Sequence, residues 1–308
     1  MITVWIILGV LALLLLAGLL VFCIASIAGP AAPVHDVEKL EKIIGHTHAA
    51  LVKGSLAWLA ENPAQELRIR SFDGTTLRGR WIPTKNARGT VLLLHGWHGS
   101  AETDFCGIFP VYQDMGFNLL FVDQRGQNGS GGAFMTFGVK ESRDAVEWVR
   151  YHNESLGDFP VVLDGISMGA TTALMSMGRD LPENVRGVIA DCGFTSPWAI
   201  LRDVARNKAK VPPFPLLYAA RLWCILLAGY DPKSHSAALA MKESKLPVLL
   251  VHGLADDFVP SYMSQETYDA YQGPKELILV ENATHGMSYV VDKPRVQDAL
   301  ERFINTVL

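Results

Sequence analysis

Cysteine is scarce in this chain, and no spacing of it binds anything. Cys23, Cys106, Cys192 and Cys224 are scattered, with no C-x-x-C pair and no histidine-rich neighbour, so the ligand pattern of a structural metal site is missing. Long runs of like charge are missing as well. Lys and Arg total 27 against 31 Asp and Glu, a net charge of −4 spread in mixed order, and no basic face of the kind that binds nucleic acid is visible. There is no internal repeat and no low-complexity tract. No metal, organic cofactor or nucleic-acid partner is therefore expected. With 308 residues of which 49% are hydrophobic, the chain is long enough to bury a sizeable core.

Residues 2–28 lack charge altogether and consist mostly of Leu, Ile, Val and Ala. At about 1.5 Å per helical residue, such a run exceeds the roughly 30 Å hydrocarbon core of a bilayer. A single-pass N-terminal anchor over residues 1–28 is expected. The rival is a cleaved signal peptide, with Ser26-Ile27-Ala28 as its small-residue site, but the basic segment that opens such peptides is absent. Lipidation of Cys23 is disfavoured because Phe22 stands where a small residue is wanted. Lys39, Lys42 and Lys53 come after the span and no Lys or Arg precedes it, which leans toward the cytoplasmic face for the remainder of the chain.

Gly29-Pro30-Ala31-Ala32-Pro33 breaks the apolar helix. Residues 29–66 then read as a linker, with a helix from His35 to about Ala60, and residues 67–308 as the main domain. Leu67 and Ile69, the Asp73-Gly74 turn, then Leu77 and Trp81 alternate as a β-hairpin does. Short continuous apolar runs come next at 91–94, 119–122, 161–163, 188–190, 248–251 and 277–280, the pattern of strands buried on both faces of a parallel sheet. Helices fit between them, including 139–152 with Asp144, Glu147 and Arg150 outward, and 169–177. The alternation predicts an α/β fold, mostly parallel, with helices on both faces. A long insertion, about 194–245, holds Trp198, the Pro212-Pro213-Phe214-Pro215 break and an apolar segment at 216–227. It reads as a short helical lid over the carboxyl ends of the strands, the bland alternative being ordinary connecting helices packed on the sheet.

Gly165-Ile166-Ser167-Met168-Gly169 succeeds the run at 161–163 and opens a helical segment, the context of a nucleophile elbow. The flanking glycines leave room for a sharp turn that lifts the serine hydroxyl; the bland alternative is a helix-capping serine. A serine hydroxyl needs a base to activate it and a third group to orient that base. Downstream, the Asp256-Asp257 pair lies just past one buried strand and His285 lies past the last. The order Ser, Asp, His suits this fold. An oxyanion would be met by backbone N–H groups of Met168 and, in His95-Gly96-Trp97-His98-Gly99, of Trp97. His95 and His252 read as packed histidines and His98 as a residue at the pocket entrance. Trp97, Met168, Trp198, Phe258 and Tyr289 are candidates for either an apolar pocket or the core.

The H-G-W-H-G loop, Asp123-Gln124-Arg125-Gly126 leading to Ser130-Gly131-Gly132, the G-x-S-x-G elbow, H-G-x-x-D-x-x-V-P from His252 and T-H-G-M-S-Y from Thr284 occur in this order. In that order they resemble the α/β-hydrolase superfamily, and within it the membrane-anchored bacterial hydrolases called serine aminopeptidase S33-like or lipase/esterase-like. The resemblance spans about Leu67 to the C-terminus. It implies an α/β-hydrolase fold and a triad of Ser167, Asp256 and His285, choosing Asp256 over Asp257 by motif register. Gln127-Asn128 departs from the His-Gly pair of many relatives, which implies that this loop does no more than turn the chain. The expected activity is that of a serine hydrolase cleaving a carboxylic ester, thioester or amide through an acyl-enzyme on Ser167, on a small acyl substrate of lipid-like character. The competing expectations are a non-catalytic binding protein on the same fold and an aminopeptidase-type peptidase. An aspartate nucleophile is disfavoured because the elbow carries serine.

Overall fold

The computed structural model describes residues 1–29, 39, 41–42 and 45–308. Eight strands form one sheet in the order β1-β2-β4-β3-β5-β6-β7-β8. These are β1 Gln65–Arg70, β2 Thr76–Ile82, β3 Gly89–Leu94, β4 Phe117–Val122, β5 Val161–Ile166, β6 Val185–Asp191, β7 Val248–Gly253 and β8 Lys275–Val280. From β4 to β8 every pairing is parallel, while β2 runs antiparallel to both β1 and β4. The expected hairpin and parallel sheet are both present, with β1 beginning two residues ahead of Leu67.

Burial explains why the strands read as unbroken apolar runs. All six residues of β3, β4 and β5 are buried. Their side chains still alternate, as a pleat requires. Val91, Leu93, Leu119 and Phe121 enter a core with Phe105, Phe109 and Phe303 on one face; Leu92, Leu94, Leu120 and Val122 join Trp148, Ala173 and Leu174 on the other. Both faces are apolar because helices cover both. At the edge, β1 buries only alternate residues, Leu67 and Ile69.

The Glu141–Ser155 helix corrects one expectation. Asp144 is buried, not outward. Arg125 grips it with Nε and Nη2 at 2.7 and 2.6 Å, Ser71 Oγ donates to it as well, and Arg125 Nη1 reaches Asp73 at 2.9 Å. This buried fork ties the loop after β4 to the hairpin, so pairing compensates the charge that helical spacing alone would have sent to solvent.

The N-terminal helix, Ile2–Ser26, is long and apolar enough to cross a membrane. It is also docked on the domain. Gly18, Phe22 and Ser26, four residues apart, form its buried face. Trp223 Nε1 donates to the Leu15 carbonyl at 2.9 Å and Trp97 Nε1 to the Ala25 carbonyl at 2.9 Å. A Cβ on Gly18 would lie 2.5 Å from Ala219 Cβ, so glycine sets the closeness of this crossing against the Leu216–Trp223 helix. Past the helix, Met135 N–H donates to Ser26 O at 2.7 Å and Ala28 N–H to Ala133 O at 3.0 Å. The N-terminal helix thus packs against the domain. Part of the helix expected from His35 falls outside the described residues. The part described, His46–Glu61, packs on the core through Val52 and through Trp58, whose ring centroid is 5.2 Å from that of Phe109.

Asp164, on β5, is buried beneath this core and accepts the Tyr112 hydroxyl at 2.6 Å. Burial pushes its carboxyl up to about 7, the Tyr112 bond opposing and the Asp191 charge adding. An unfolded Asp titrates near about 3.9. Between those values the native state holds a proton that the unfolded state has released, so this group makes stability fall as pH rises. Asp164→Asn removes the dependence: the Tm of the variant minus that of wild type should grow from pH 5 to pH 8, by on the order of 5 °C. A pH-independent difference would contradict it.

Candidate functional site

The site forms at the carboxyl edge of β3, β5, β7 and β8, where open α/β sheets present their loops. Ser167 follows β5 with a positive φ of 56° and ψ of −115°, a strained state for a residue with a Cβ. Its neighbours must be small for a measurable reason. A Cβ on Gly165 would lie 2.2 Å from the Gly169 carbonyl oxygen, and one on Gly169 would lie 1.7 Å from that of Leu94. The elbow is held by backbone pressed on backbone, and the Met168–Ser176 helix then starts at once behind Ser167.

His285, in the loop after β8, places Nε2 2.9 Å from Ser167 Oγ and Nδ1 2.7 Å from Asp256 Oδ2. The Asp256 carboxylate is buried; its Oδ1 accepts the N–H groups of Phe258 and Val259, each at 2.9 Å. Burial alone would raise its pKa, but the bonds from His252 and His285 outweigh that and hold it below the usual carboxylate range. Asp256 is charged whenever His285 needs an acceptor. Asp257 faces the other way, 82% exposed and paired with Lys208 at 2.7 Å.

His252 and His95 are packed histidines, as expected. His252 bridges Ser264 Oγ at 2.6 Å and the Val259 carbonyl at 2.8 Å, with Nε2 3.3 Å from Asp256 Oδ2, so it braces the acid. His95 donates from Nδ1 to the Gly96 carbonyl at 2.8 Å and accepts the Gln124 N–H at Nε2, 3.1 Å away. Sequence reasoning missed Cys192, which comes after β6 and lies among these groups, its sulfur within 4.8 Å of ligand atoms of Asp256 and His285. Burial pushes this thiol well above its ordinary value, with the charges of Asp191 and Asp256 adding. It is a neutral S–H in the floor of the site, not a thiolate ready for a metal.

Trp97, on the loop after β3, and Met168, the first residue of the helix behind Ser167, flank the serine, and neither backbone N–H has an acceptor among the described residues. The Met168 group opens a helix, where unpaired N–H groups and the helix dipole favour negative charge. The loop carrying Trp97 is pinned by Asp104, whose Oδ2 accepts the Gly96 N–H at 2.6 Å, and by Asn128, whose Nδ2 donates to the Gly99 carbonyl at 2.7 Å. The Gln127-Asn128 turn therefore braces the neighbouring loop and does not merely reverse the chain. His98 packs edge-on against Trp97 at 4.3 Å and lines neither cavity at Ser167.

Two cavities meet at Ser167. One, of about 350 Å³, is lined by polar groups including His48, Asp104, Thr284 and His285. The other, of about 150 Å³, is almost wholly apolar, walled by Ile24, Ala25, Phe137, Phe194, Ile200 and Val204. Trp97 and Phe258 line both. The remaining pocket candidates do not line them: Trp198 meets Tyr218 edge-on and has Lys233 over its ring, while Met168 and Tyr289 are core. A larger cavity of about 440 Å³, beside Gly178 and Leu239, shares no lining residue with these two. The Pro197–Asp203 helix and the π-helical turn Val204–Lys208 overhang Ser167, whereas the apolar stretch after Pro215 packs on the N-terminal helix. Of the insertion at 194–245, Phe194, Ile200, Leu201 and Val204 line the apolar cavity.

Residues 89–217 match the model of the α/β-hydrolase fold family, and the sheet order and the elbow are those of an α/β-hydrolase fold. In sequence it is similar to the uncharacterized protein YqkD of Bacillus subtilis, 27% identical over 240 residues and 78% of each chain. YfhR of Escherichia coli is 28% identical over 228 residues, which are 72% of this chain and 73% of that one. Among solved structures it is similar to an esterase of Pyrococcus furiosus, with a TM-score of 0.64, 22% identity and coverage of 80% of this chain and 92% of that one.

The Gly169 contact gives a direct structural test. Gly169→Ala should lower Tm by roughly 10 °C or abolish folding, whereas Gly54→Ala, in a helix with nothing near the added methyl, should be neutral or stabilising by about 0.5–1 kcal/mol. Thermal melts of both variants check this, and a Gly169→Ala variant that melts like wild type would refute the account of the elbow.

Proposed function

We propose that this protein is a membrane-anchored serine hydrolase that cleaves a carboxylic ester through an acyl-enzyme on Ser167. The observation that carries the reading is the continuous chain of bonds Ser167 Oγ to His285 Nε2 and His285 Nδ1 to Asp256 Oδ2. Asp256 fixes the His285 tautomer, so Nδ1 carries the proton and Nε2 is free to take one. Ser167 Oγ attacks the acyl carbonyl while its proton passes to His285, and the oxyanion is met by the N–H groups of Met168 and Trp97. The C–O bond to the alcohol then breaks, and the alcohol leaves with the proton held by His285. Water, deprotonated by the same base, attacks the acyl-enzyme and releases the acid and the free serine.

The likeness to an esterase supports the ester reading at the level of fold. An aminopeptidase needs a carboxylate free to hold the substrate amine. The carboxylate in the polar cavity, Asp104, is already engaged by the Gly96 N–H and by Thr103 Oγ1 at 2.8 Å, which favours esters. The binding-protein alternative would leave Ser167 without an oriented base, and the observed bonding favours catalysis. The length and apolarity of Ile2–Ser26 support its role as an anchor, and its docked face supports its retention over cleavage.

Turnover of p-nitrophenyl butyrate by the full chain in detergent tests this. Ser167→Ala and Asp256→Ala should each lose on the order of 10³-fold or more in kcat. Asp257→Ala, an exposed surface change, should stay within about threefold of wild type. Equal losses in Asp256→Ala and Asp257→Ala would overturn the assignment of the acid.

A further inference from the structure

The apolar cavity at Ser167 is walled on one side by Ile24 and Ala25 of the N-terminal helix and on the other by Ile200, Leu201 and Val204 of the overhanging segment. A membrane span would have no reason to line a soluble enzyme's pocket unless the pocket served the membrane. The geometry of the span makes this concrete. Residues 2–13 are exposed and precede the Leu15 carbonyl to which Trp223 Nε1 donates; as a helix they reach only about 20 Å, short of the roughly 30 Å of a hydrocarbon core. To cross, the helix must carry part of its docked stretch into the bilayer, and the Leu216–Trp223 helix packed against Gly18 goes with it. That second helix is suited to it. It carries exposed Tyr218 and Leu222, with Phe214 just before it and Ile225 just after it, an apolar row at helical spacing between 40% and 71% exposed. Ile24 is itself 65% exposed while lining the cavity, so the cavity wall is continuous with the surface that faces lipid.

We infer that the N-terminal helix is part of the substrate site: Ile24 and Ala25, with Ile200, Leu201 and Val204, hold the acyl chain of an amphiphilic ester taken from the lipid phase. The inference rests on the hydrolase reading above and adds its substrate class. With the acyl chain in the apolar cavity, the ester carbonyl lies at Ser167. The polar cavity, with His48, Asp104 and Thr284, receives the departing alcohol. The partition of the site follows the partition of the substrate: one wall of lipid character for the chain, a wetter chamber of more than twice the volume for the head.

The test uses the full chain in phosphatidylcholine vesicles and a series of p-nitrophenyl esters from acetate to decanoate. Ala25→Trp fills the cavity from the helix side and Leu201→Trp from the opposite side, so one variant remains informative if the other fails to fold. In each, the ratio of kcat/KM for decanoate to that for acetate should fall by about tenfold or more, with the preferred chain becoming shorter. A ratio within about twofold of wild type in folded variants overturns the inference while leaving the hydrolase reading intact. Absence of Ser167-dependent turnover of every ester in wild type overturns both.

Discussion

Gly169 lies so close to the end of β3 that any side chain there would occupy the Leu94 carbonyl, and the geometry of the site depends on this contact. It lets the helix behind Ser167 begin directly above the junction of β3 and β5, which pair Leu94 with Gly165. The two segments leaving those strands consequently rise side by side. One carries Ser167 and the N–H of Met168, the other the N–H of Trp97. The positive φ of Ser167 is the local cost of the turn, and the hydrogen bond from its N–H to the Asp191 carbonyl, 2.8 Å, helps hold it.

Sheet order dictates the rest of the site. Next to β5 come β6, β7 and β8, so a histidine on the loop after β8 must reach back across two strands to meet Ser167. The loop after β7 lies between them and supplies the acid that steadies it. The end of β6 closes the floor with Asp191 and Cys192, both buried; burial pushes the Asp191 carboxyl up to about 6, with the charge on His252 opposing. Beside Asp256, buried His252 bonds the Val259 carbonyl and so fixes the loop that donates two N–H groups to the Asp256 carboxylate.

Most of this was legible in the residues. Buried parallel strands advertise themselves because both faces are apolar, and the elbow does so because two glycines bracket a serine at a strand end. What was less legible depended on partners distant in sequence. Asp144 fits the polar stripe of a helix until Arg125 arrives from another loop. Trp198 and Tyr289 are large and apolar, and nothing local distinguishes a pocket wall from a core or a surface contact. The Gln127-Asn128 turn gave no sign that Asn128 would brace the loop of Trp97. Apolarity in residues 2–28 reports a preference for low dielectric but not whether lipid or protein provides it, and here protein covers the Gly18, Phe22 and Ser26 face. The small and aromatic residues at Gly18, Phe22 and Ser26 were the available signal, since fourfold spacing marks a helix face made for a partner.

Docking joins the N-terminal helix to the site. The helix contributes carbonyls that accept Trp97 and Trp223, and side chains that wall the apolar cavity. All of this matters functionally only if Ser167 is an activated nucleophile, and that is open to direct measurement. Full-length protein in detergent should react with a fluorophosphonate probe, and peptide mass mapping should locate the adduct on Ser167 alone, with none formed in His285→Ala. A folded wild-type protein that takes up no probe, or takes it up at another residue, would contradict the account.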